Sequence, residues 1–459
     1  MEDKISSEFI NSIQKSNNII TKEEAAELLK TTPGALESFE KSYRLASIQK
    51  EETSRNFFDK GKKFLDCNNK KSDIIQYDSK ELDSIIDRIV EELIQYPNPV
   101  ENPVTLEEVE SLPDNVRPML TGNLVKKDMN AESYPVVLFW YNEYLKEEDP
   151  ETDIGSYCKF LQGLDILDID PITYEILGMN PSTFSKWYPQ LKAAVDKQNF
   201  FKIPKTVYKK IPLPILQLSR IGYETINKTT KDIVNRYVFK TFNLDENKKY
   251  FIKTGTFSYK FDFRNCKVEG EEVKELGEYL LYIQSYASQM ASPLTRPTIV
   301  GVSTTNEWVV REYIEDIENN PTIYKGLPLH TEYRFFIDCD TDEILGKTPY
   351  WDKHGLLKNF DDDKDPDKIH DYIITKSHLG VLEGRYYENI DKVTKEVENL
   401  LPDIDLKGQW SLDIMQNGND FYIIDMALAA ESALADCIPE EERVKARMNW
   451  IQKLEPQNI

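Results

Sequence analysis

The sequence has 459 residues, of which 40% are hydrophobic and 30% charged, so it is long enough for about two or three domains and too apolar to be wholly disordered. Its formal net charge of −23 at pH 7 argues against a nucleic-acid partner, because such a field repels phosphate backbones. The five cysteines have no metal-ligand spacing, so we expect free thiols. No signal peptide and no apolar run of membrane-spanning length is evident, so we expect a cytoplasmic protein without a membrane partner.

The chain up to residue 199 is predicted to be mainly helical. Thr21 and Glu24 have the spacing of a capping box, and residues 78–94 carry apolar side chains at helical spacing, which predicts a helix with one buried face. We expect a helical region over 1–95 and another over 131–199, separated by a proline-rich linker over 96–130. The helical pattern that follows Thr21 resumes over 35–45, which predicts a pair of helices. The balanced charge of this segment favours a structural role for the pair over DNA binding.

After residue 200 the pattern changes to short strands interleaved with helices. Helices are predicted over 229–242, 270–290, 368–379, 384–400 and 440–454, and Thr229 or Thr230 is the expected N-cap of the first. Strands are predicted over 203–208, 250–253, 298–302 and 307–314, and a hairpin over 332–338 and 343–350. Helices interleaved with antiparallel hairpins predict an α+β fold for this half of the chain.

Charged and hydroxyl side chains follow these strands in a fixed order. The strand over 250–253 ends in Lys253 and runs into a hydroxyl-rich turn that contains Ser258 and Lys260. A later strand, over 332–338, carries Glu332 and Arg334 two residues apart, on one face. Each residue also has a purely structural interpretation. A lysine at the end of a strand can extend its ammonium group into water. Glu332 and Arg334 can form an ion pair with each other or with neighbouring strands.

The stretch 410–427 has two apolar runs around a cluster of Asn, Gly and Asp, which predicts an antiparallel hairpin. A three-residue loop over 418–420 would place Asp413 directly opposite Asp425, whereas a two-residue turn at Asn417 and Gly418 would place the two acids on opposite faces. Like charges directly opposed in a sheet are destabilising, so the first register needs a cation between them. Two carboxylates together with nucleotide phosphates are typical ligands of Mg²⁺; a surface hairpin with two solvated acids is the alternative.

The order of these features from about residue 200 to 440 resembles the ATP-grasp superfamily, in which ATP lies between two α+β lobes. More narrowly, it is similar to the eukaryotic cell-division-cycle ATP-grasp proteins that help assemble a translation initiation factor, and to uncharacterised bacterial and phage proteins with an ATP-grasp-like C-terminal half. The resemblance implies a helical N-terminal half followed, over 200–459, by a two-lobed ATP-grasp-like domain with antiparallel sheets.

The resemblance also implies roles for individual residues. Lys253 would neutralise phosphate charge, Ser258 and Lys260 would lie in the loop that covers the phosphates, and Arg334 would stabilise charge on the γ-phosphate. The remaining implied contacts are Glu312, Tyr313 and Ile314 as the hinge that reads adenine, Glu315, Asp316 or Glu318 as acceptors of ribose hydroxyls, and Asp413 and Asp425 as ligands of one or two Mg²⁺ ions.

Two positions depart from the family pattern. The last strand of the family usually ends in acid-x-Asn, and here the asparagine position is Ala427, so Glu431 or Ser432 is the candidate substitute. A basic residue that the family has after the Glu-x-Arg hairpin falls near Tyr350. Both departures bear on catalysis more than on nucleotide binding.

The function that the resemblance implies is an Mg-ATP-dependent ligase, which activates a carboxylate as an acyl phosphate for attack by an amine or similar nucleophile. The carboxylate and the nucleophile are unidentified, and a protein is among the candidate substrates. The alternatives are an ATP-binding assembly or adaptor protein without turnover, whose helical half binds a partner, and a relic of the fold that binds no nucleotide. No P-loop and no Gly-x-Ser-x-Gly pattern occurs, which excludes the commonest NTPase and hydrolase classes.

Overall fold

The computed structural model describes residues 79–96, 104–111, 134–146, 169–219, 223–291, 304–351 and 365–444. The helices are α1 Ser79–Ile94, α2 Leu106–Ser111, α3 Tyr134–Lys146, α4 Ile169–Met179, α5 Phe184–Val195, α6 Leu213–Leu218, α7 Lys228–Thr241, α8 Leu276–Met290 and α9 Pro366–Leu400. The strands are β1 Phe201–Lys202, β2 Thr206–Lys210, β3 Tyr250–Thr254, β4 Lys267–Val268, β5 Glu307–Glu312, β6 Thr322–Ile323, β7 Leu327–Pro328, β8 Glu332–Asp338, β9 Glu343–Pro349, β10 Gln409–Asn417 and β11 Asp420–Leu428.

Several predicted features lie outside the described residues. These are the capping box at Thr21, most of the proline-rich segment, the strand over 298–302 and most of the helix over 440–454. Within the described residues, helices fill the N-terminal part and antiparallel sheets dominate the C-terminal part, so the predicted α+β class is confirmed. No helix in these ranges is both long enough and apolar enough to cross a bilayer.

The chain divides into two compact units, the first made of Met1–Tyr96 and Ile221–Asn243. In its described part α1 packs against α7, and Arg236 of α7 forms ion pairs with Asp83 and Asp87 of α1 at 3.0 and 3.3 Å. The second unit comprises Pro97–Arg220 and Leu244–Ile459. The domain boundaries expected near residues 95, 130 and 199 stay predictions.

Helix α7 begins one position earlier than the sequence pattern predicted, because its N-cap is Asn227 and not Thr229 or Thr230. The Asn227 side chain accepts a hydrogen bond of 2.9 Å from the backbone N–H of Thr230. Asparagine is at least as good an N-cap as threonine, since its side-chain oxygen reaches the otherwise unpaired N–H groups of the first turn. The prediction of a threonine cap was therefore wrong.

Replacing Asn227 by alanine is expected to lower the free energy of unfolding of the first unit by about 1 kcal/mol, because one N–H of the first turn loses its acceptor. Denaturant unfolding followed by circular dichroism measures the change. Thr229→Ala is the matched control and is expected to change the free energy by less than about 0.5 kcal/mol. A larger loss for the Thr229 variant than for the Asn227 variant would contradict the assignment of the cap.

The second unit contains two main sheets. A five-stranded sheet has the order β1-β11-β10-β8-β9, and a four-stranded sheet has the order β2-β5-β3-β4. All pairings are antiparallel except that of β1 with β11, which is parallel. One face of the larger sheet packs on α5 and α9 in an apolar core that includes Trp187, Val393, Leu412 and Phe421. This packing leaves the polar side chains of β8, β10 and β11 on the other face.

Helix α9 is one continuous helix of 35 residues, whereas the sequence pattern predicted two helices with a break over 380–383. Gly380 and Gly384 lie at or beside the predicted break, but a glycine inside a helix costs only about 1 kcal/mol. A row of buried side chains runs through the segment at helical spacing, and it holds the helix together. That row includes Leu379, Leu382, Tyr386 and Ile390.

Candidate functional site

The turn of the hairpin of β10 and β11 is neither of the two that the sequence left open. Asn417 pairs with Asp420, so the turn is the two residues Gly418 and Asn419 and not a three-residue loop. Gly418 has a φ of +63°, and glycine adopts this left-handed conformation without strain. Continued regularly, this register would pair Asp413 with the residue before Asp425 and would separate the two acids.

A β-bulge restores the opposition of the two acids. Ile414 pairs with Ile423, but the next pair along the strands is Asp413 with Asp425, so that Ile424 has no partner on β10. A bulge of this kind inserts one extra residue into one strand and returns the following side chains to the other face. The predicted register of the acids is thus present, although the loop that was expected to produce it is not.

Each of the two acids is bound by a cation of the protein. Arg334 on β8 donates from Nε and Nη2 to the two carboxylate oxygens of Asp413, both at 2.7 Å. Lys253 on β3, whose side chain is 2% exposed, donates from Nζ to Oδ2 of Asp425 at 2.7 Å. Burial by itself would raise the pKa of Asp425, but Lys253 and Arg311 hold that pKa below its usual range. Both acids are therefore paired with cations that come from other strands.

A cavity of about 330 Å³ contains these groups, and strands of both sheets line it. From the small sheet come β3 and β5, and from the large sheet come β8, β10 and β11. The predicted residues that line it are Lys253, Ser258, Lys260, Glu312, Tyr313, Ile314, Arg334, Asp413 and Asp425. Its described lining does not include Glu315 or Asp316.

Glu315 and Asp316 have other partners in the structure. The Glu315 carboxylate accepts an ion pair of 2.8 Å from Lys249. Asp316 accepts hydrogen bonds from the backbone N–H groups of Glu318 and Asn320, at 3.0 and 2.6 Å, and so shapes the loop after β5. The ribose contacts that were expected of these two acids stay predictions.

Asp316, Glu318 and His330 form a cluster with the spacing of metal ligands. Each member already has a partner within the protein, however. Glu318 pairs with Arg385 at 3.1 Å, and Nδ1 of His330 lies 3.3 Å from the side-chain amide of Asn320. Burial lowers the pKa of His330, which favours the neutral imidazole. The cluster is satisfied as a hydrogen-bonded network without an ion.

The predicted hinge has only part of its backbone free for a ligand. The N–H groups of Glu312 and Tyr313 donate to the carbonyls of Lys205 and Lys249, both at 2.9 Å. The Glu312 carboxylate is held by Lys248 at 2.6 Å. The N–H groups of Glu312 and Tyr313 are therefore already used within the protein.

Tyr350, which occupies the position of a basic residue in the family pattern, lies between two cations. The Lys260 ammonium donates to its hydroxyl and lies 3.9 Å from its ring centroid, and the Arg334 guanidinium lies 4.6 Å from the same centroid. Lys260 also lies 5.0 Å from the ring of Trp351. An aromatic face attracts cations, so Tyr350 holds both side chains at this end of the cavity. Lys260 thus places a positive charge beside Tyr350, the position at which the family pattern predicted a basic residue.

Glu332 is a buried acid of the cavity whose Oε2 has no hydrogen-bond partner among the described residues. Burial raises the pKa of its carboxyl from the ordinary value of 4.5 to about 7, because charging it in a buried place is unfavourable. An acid whose pKa is higher in the folded than in the unfolded state binds its proton more tightly when folded. Its contribution to stability is full below pH 4.5 and is lost as the pH rises to about 7.

Glu332→Gln is expected to remove this pH dependence. Between about pH 4.5 and pH 7 the wild-type protein should lose roughly 3 kcal/mol of stability relative to the variant, whose neutral amide does not titrate. Denaturant unfolding of both proteins at a series of pH values gives the difference curve. Glu343→Gln, at an exposed position of β9, is the control and should leave the curve of the wild type unchanged. Parallel curves for wild type and Glu332→Gln would contradict the expected shift.

Sequence reasoning missed many residues that line the cavity, among them Arg311 and Met415, and it did not predict that Tyr350 contacts both cations. Arg311 had a weak local signal, since it is a charged residue that directly follows the apolar pair Val309 and Val310 in a strand. Met415 had none, because an apolar strand residue is ordinary in any core, and the family pattern marked the position of Tyr350 without indicating its contacts.

The donor set of the cavity suits a hard divalent cation. Carboxylate oxygens are the preferred protein ligands of Mg²⁺, and Asp413 and Asp425 are directly opposed on neighbouring strands. Ala427 offers no donor, but Glu431 and Ser432 of the following turn line the same cavity. Glu431 accepts a hydrogen bond from Ser182 at 3.2 Å. The residues that line the cavity therefore fit Mg²⁺, and Glu431 and Ser432 add oxygen atoms to a lining in which the Ala427 side chain has none.

No family model matches the chain, and no curated protein matches it. Among solved structures, the chain is similar to C-terminally truncated Cdc123 from Schizosaccharomyces pombe, with 14% identity and a TM-score of 0.35 over 58% of this chain and 92% of that one. A second Cdc123 structure from the same organism gives 14% identity and a TM-score of 0.32 over 54% of this chain and 84% of that one.

D-alanyl-alanine synthetase A from Vibrio cholerae is similar at 8% identity and a TM-score of 0.24, over 58% of this chain and 61% of that one. The case for the site therefore rests on its own geometry.

Proposed function

We propose that the chain binds Mg-ATP in the cavity and transfers the γ-phosphoryl group to a substrate carboxylate, as an ATP-dependent carboxylate–amine ligase does. The observation that carries the proposal is the convergence of Lys253, Arg334, Asp413 and Asp425, from strands of two sheets, on one cavity. Two cations for phosphate oxygens and two acids for a metal are what binding a triphosphate requires.

The charges in the cavity are placed for phosphoryl transfer. Lys253 is a buried point charge on the small sheet, and Arg334 presents a planar fork from the large sheet. Lys260 is a third cation, held by Tyr350 on the same side of the cavity as Arg334. Catalysis of this reaction depends mainly on positioning and on neutralising charge, and no protein nucleophile is needed.

In the proposed reaction a carboxylate oxygen of the substrate attacks the γ-phosphorus, and the bond between that phosphorus and the bridging β–γ oxygen breaks, so that ADP leaves. The acyl phosphate is then attacked at its carbonyl carbon by an amine, which loses a proton, and phosphate leaves. Asp413 and Asp425 would hold Mg²⁺, which when bound neutralises charge on the phosphate oxygens. Arg334 and Lys260 would stabilise the negative charge at the γ-phosphate during both steps.

Calorimetric titration with Mg-ATP tests the binding step. Asp425→Asn is expected to lower the affinity for Mg-ATP at least tenfold, or about 1.4 kcal/mol, because one carboxylate ligand of the metal is lost. Asp420→Asn is the matched control, since Asp420 lies on the same strand but pairs with Lys202 at 2.6 Å with its side chain 42% exposed. The proposal fails if the wild-type protein binds no Mg-ATP, or if both variants bind it as the wild type does.

A second candidate function is an ATP-binding assembly or adaptor protein that does not turn ATP over. The observation that favours it is Ala427, which lines the cavity where the family pattern has a metal-binding amide. Incubation of the protein with Mg-ATP and a pool of carboxylates and amines distinguishes the two. Steady release of ADP supports the ligase, whereas binding without release supports the adaptor.

A further inference from the structure

Arg311 on β5 is an arginine of the small sheet that reaches the large sheet. The residue is 6% exposed, and its guanidinium lies 5.0 Å from the ring centroid of Phe184. From Nη1 it donates a hydrogen bond to the backbone carbonyl of Ile424. Ile424 is the extra residue of the β-bulge on β11, between Ile423 and Asp425. A buried guanidinium is thus joined to the one residue of β11 that the ladder with β10 skips.

The bulge decides on which face of the sheet Asp425 lies. The turn at Gly418 and Asn419 starts a register in which Asp413 would face Ile424, and Asp425 would face Leu412. Because residues directly opposed on two strands share a face and the faces alternate along a strand, Asp425 would then point away from Asp413. The bulge shifts β11 by one residue and brings Asp425 back to the cavity.

The bulged residue Ile424 has no partner in the ladder with β10, so the ladder does not fix the register at this point. A bulged residue is left unpaired by the ladder, so its backbone groups need partners from elsewhere. Arg311 gives the Ile424 carbonyl a charged donor, and hydrogen bonds to charged groups are stronger than neutral ones. Sliding β11 by one residue into the regular register would remove that acceptor and leave Arg311 buried without it.

We propose that Arg311 is a positioning residue, which holds the bulge at Ile424 and thereby keeps Asp425 opposite Asp413 in the cavity. The register part of this inference depends on the strand pairing and on the hydrogen bond from Arg311 to Ile424, and on no bound nucleotide. Its consequence, that Arg311 keeps Asp425 in position to bind the metal ion of Mg-ATP, rests on the proposed function.

Disulfides engineered between β10 and β11 report the register of these two strands directly. Ser411 is paired with Ala427 beyond the bulge, and in the slipped register it would face Met426 instead. Cysteines are introduced at Ser411 and Ala427, or at Ser411 and Met426, and mild oxidation is followed by mass spectrometry of the linked peptides. With Arg311 present, we expect the first pair to cross-link and the second not to, since only the first has facing side chains.

Arg311→Met is expected to lower the yield of the Ser411–Ala427 link at least fivefold and to raise that of the Ser411–Met426 link. Arg311→Lys, which keeps a charged donor, should restore most of the original pattern. Unchanged yields in the Arg311→Met background would overturn the proposal.

Deletion of Ile424 provides a control, which also decides the case in which the Arg311→Met variant does not fold. Without this residue a regular ladder pairs Asp413 with Asp425 with no bulge. In the deletion background Arg311→Met should therefore no longer change the cross-linking pattern. If Arg311→Met fails to fold with Ile424 present and folds without it, the proposal is supported. Failure to fold in both backgrounds would show a general core requirement and would overturn it.

Nucleotide binding separates a positioning role from a direct phosphate contact. Calorimetry with ATP is done with Mg²⁺ and with a chelator. Arg311→Met is expected to weaken the Mg-dependent affinity about tenfold and to leave the metal-free affinity within about twofold of that of the wild type. An equal loss under both conditions would mean that Arg311 binds phosphate itself and would overturn the positioning role. If the wild type binds no nucleotide, the proposed function fails, and the cross-linking still decides the register.

Discussion

Lys253→Met is expected to lower the affinity for Mg-ATP about 100-fold, or by ~2.7 kcal/mol, the largest effect of any single change on nucleotide binding. The Lys253 side chain is 2% exposed, and its ammonium is the cation on β3 that faces Asp425 at 2.7 Å. Methionine has a similar length and no charge, so the variant removes the point charge while it largely keeps the packing. Isothermal calorimetry with Mg-ATP gives the affinity.

The same change is expected to reduce stability by about 1–2 kcal/mol, because Asp425, whose side chain is 37% exposed, loses its ion-pair partner but keeps access to water. Binding must therefore be measured where both proteins are folded, which a parallel denaturant curve establishes. Lys209→Met is the matched control, since Lys209 is an exposed lysine of β2 in the same sheet. An unchanged affinity in folded Lys253→Met would remove Lys253 from the nucleotide site and leave it with a structural role only.

Local patterns were sufficient for those parts of the fold that depend on local sequence. The alternation of apolar residues predicted the hairpin of β8 and β9, and the helical spacing over 78–94 predicted α1 Ser79–Ile94. The predictions were wrong where the local sequence allowed more than one cap or more than one helix end. Two threonines and Asn227 are all good caps, and glycines at 380 and 384 are ordinary signs of a helix end.

The candidate site was only partly predictable, since some of its features depend on contacts between distant residues. Asp413 and Asp425 stood out because acids are unusual in apolar strands, and their opposition is present. The bulge that produces it had no local signal, because Ile424 is one of several apolar residues in the strand and its carbonyl partner, Arg311, lies 113 positions away. The contact of Lys260 with Tyr350, 90 positions apart, is of the same kind.

Breaking the ion pair between Arg334 and Asp413 is expected to have the largest effect on stability. Their side chains are 10% and 8% exposed, and two hydrogen bonds of 2.7 Å join them. Arg334→Met and Asp413→Leu should each cost about 3–5 kcal/mol, because each leaves a buried charge without its partner. The double variant should be more stable than the sum of the two losses predicts, by roughly 2 kcal/mol, since neither charge then remains. Denaturant unfolding of the four proteins gives the coupling energy.

The exposed ion pair of Lys197 and Asp403, at 2.6 Å with side chains 58% and 40% exposed, is the control cycle and should give less than about 1 kcal/mol. Additive losses in the Arg334–Asp413 cycle would mean that the two side chains do not interact in solution. A coupling of the expected size has a consequence for the proposed reaction. A metal ion bound by Asp413 and a phosphate bound by Arg334 would compete with the two hydrogen bonds that join these side chains. We therefore expect a smaller coupling when all four proteins are saturated with Mg-ATP than when none has nucleotide bound.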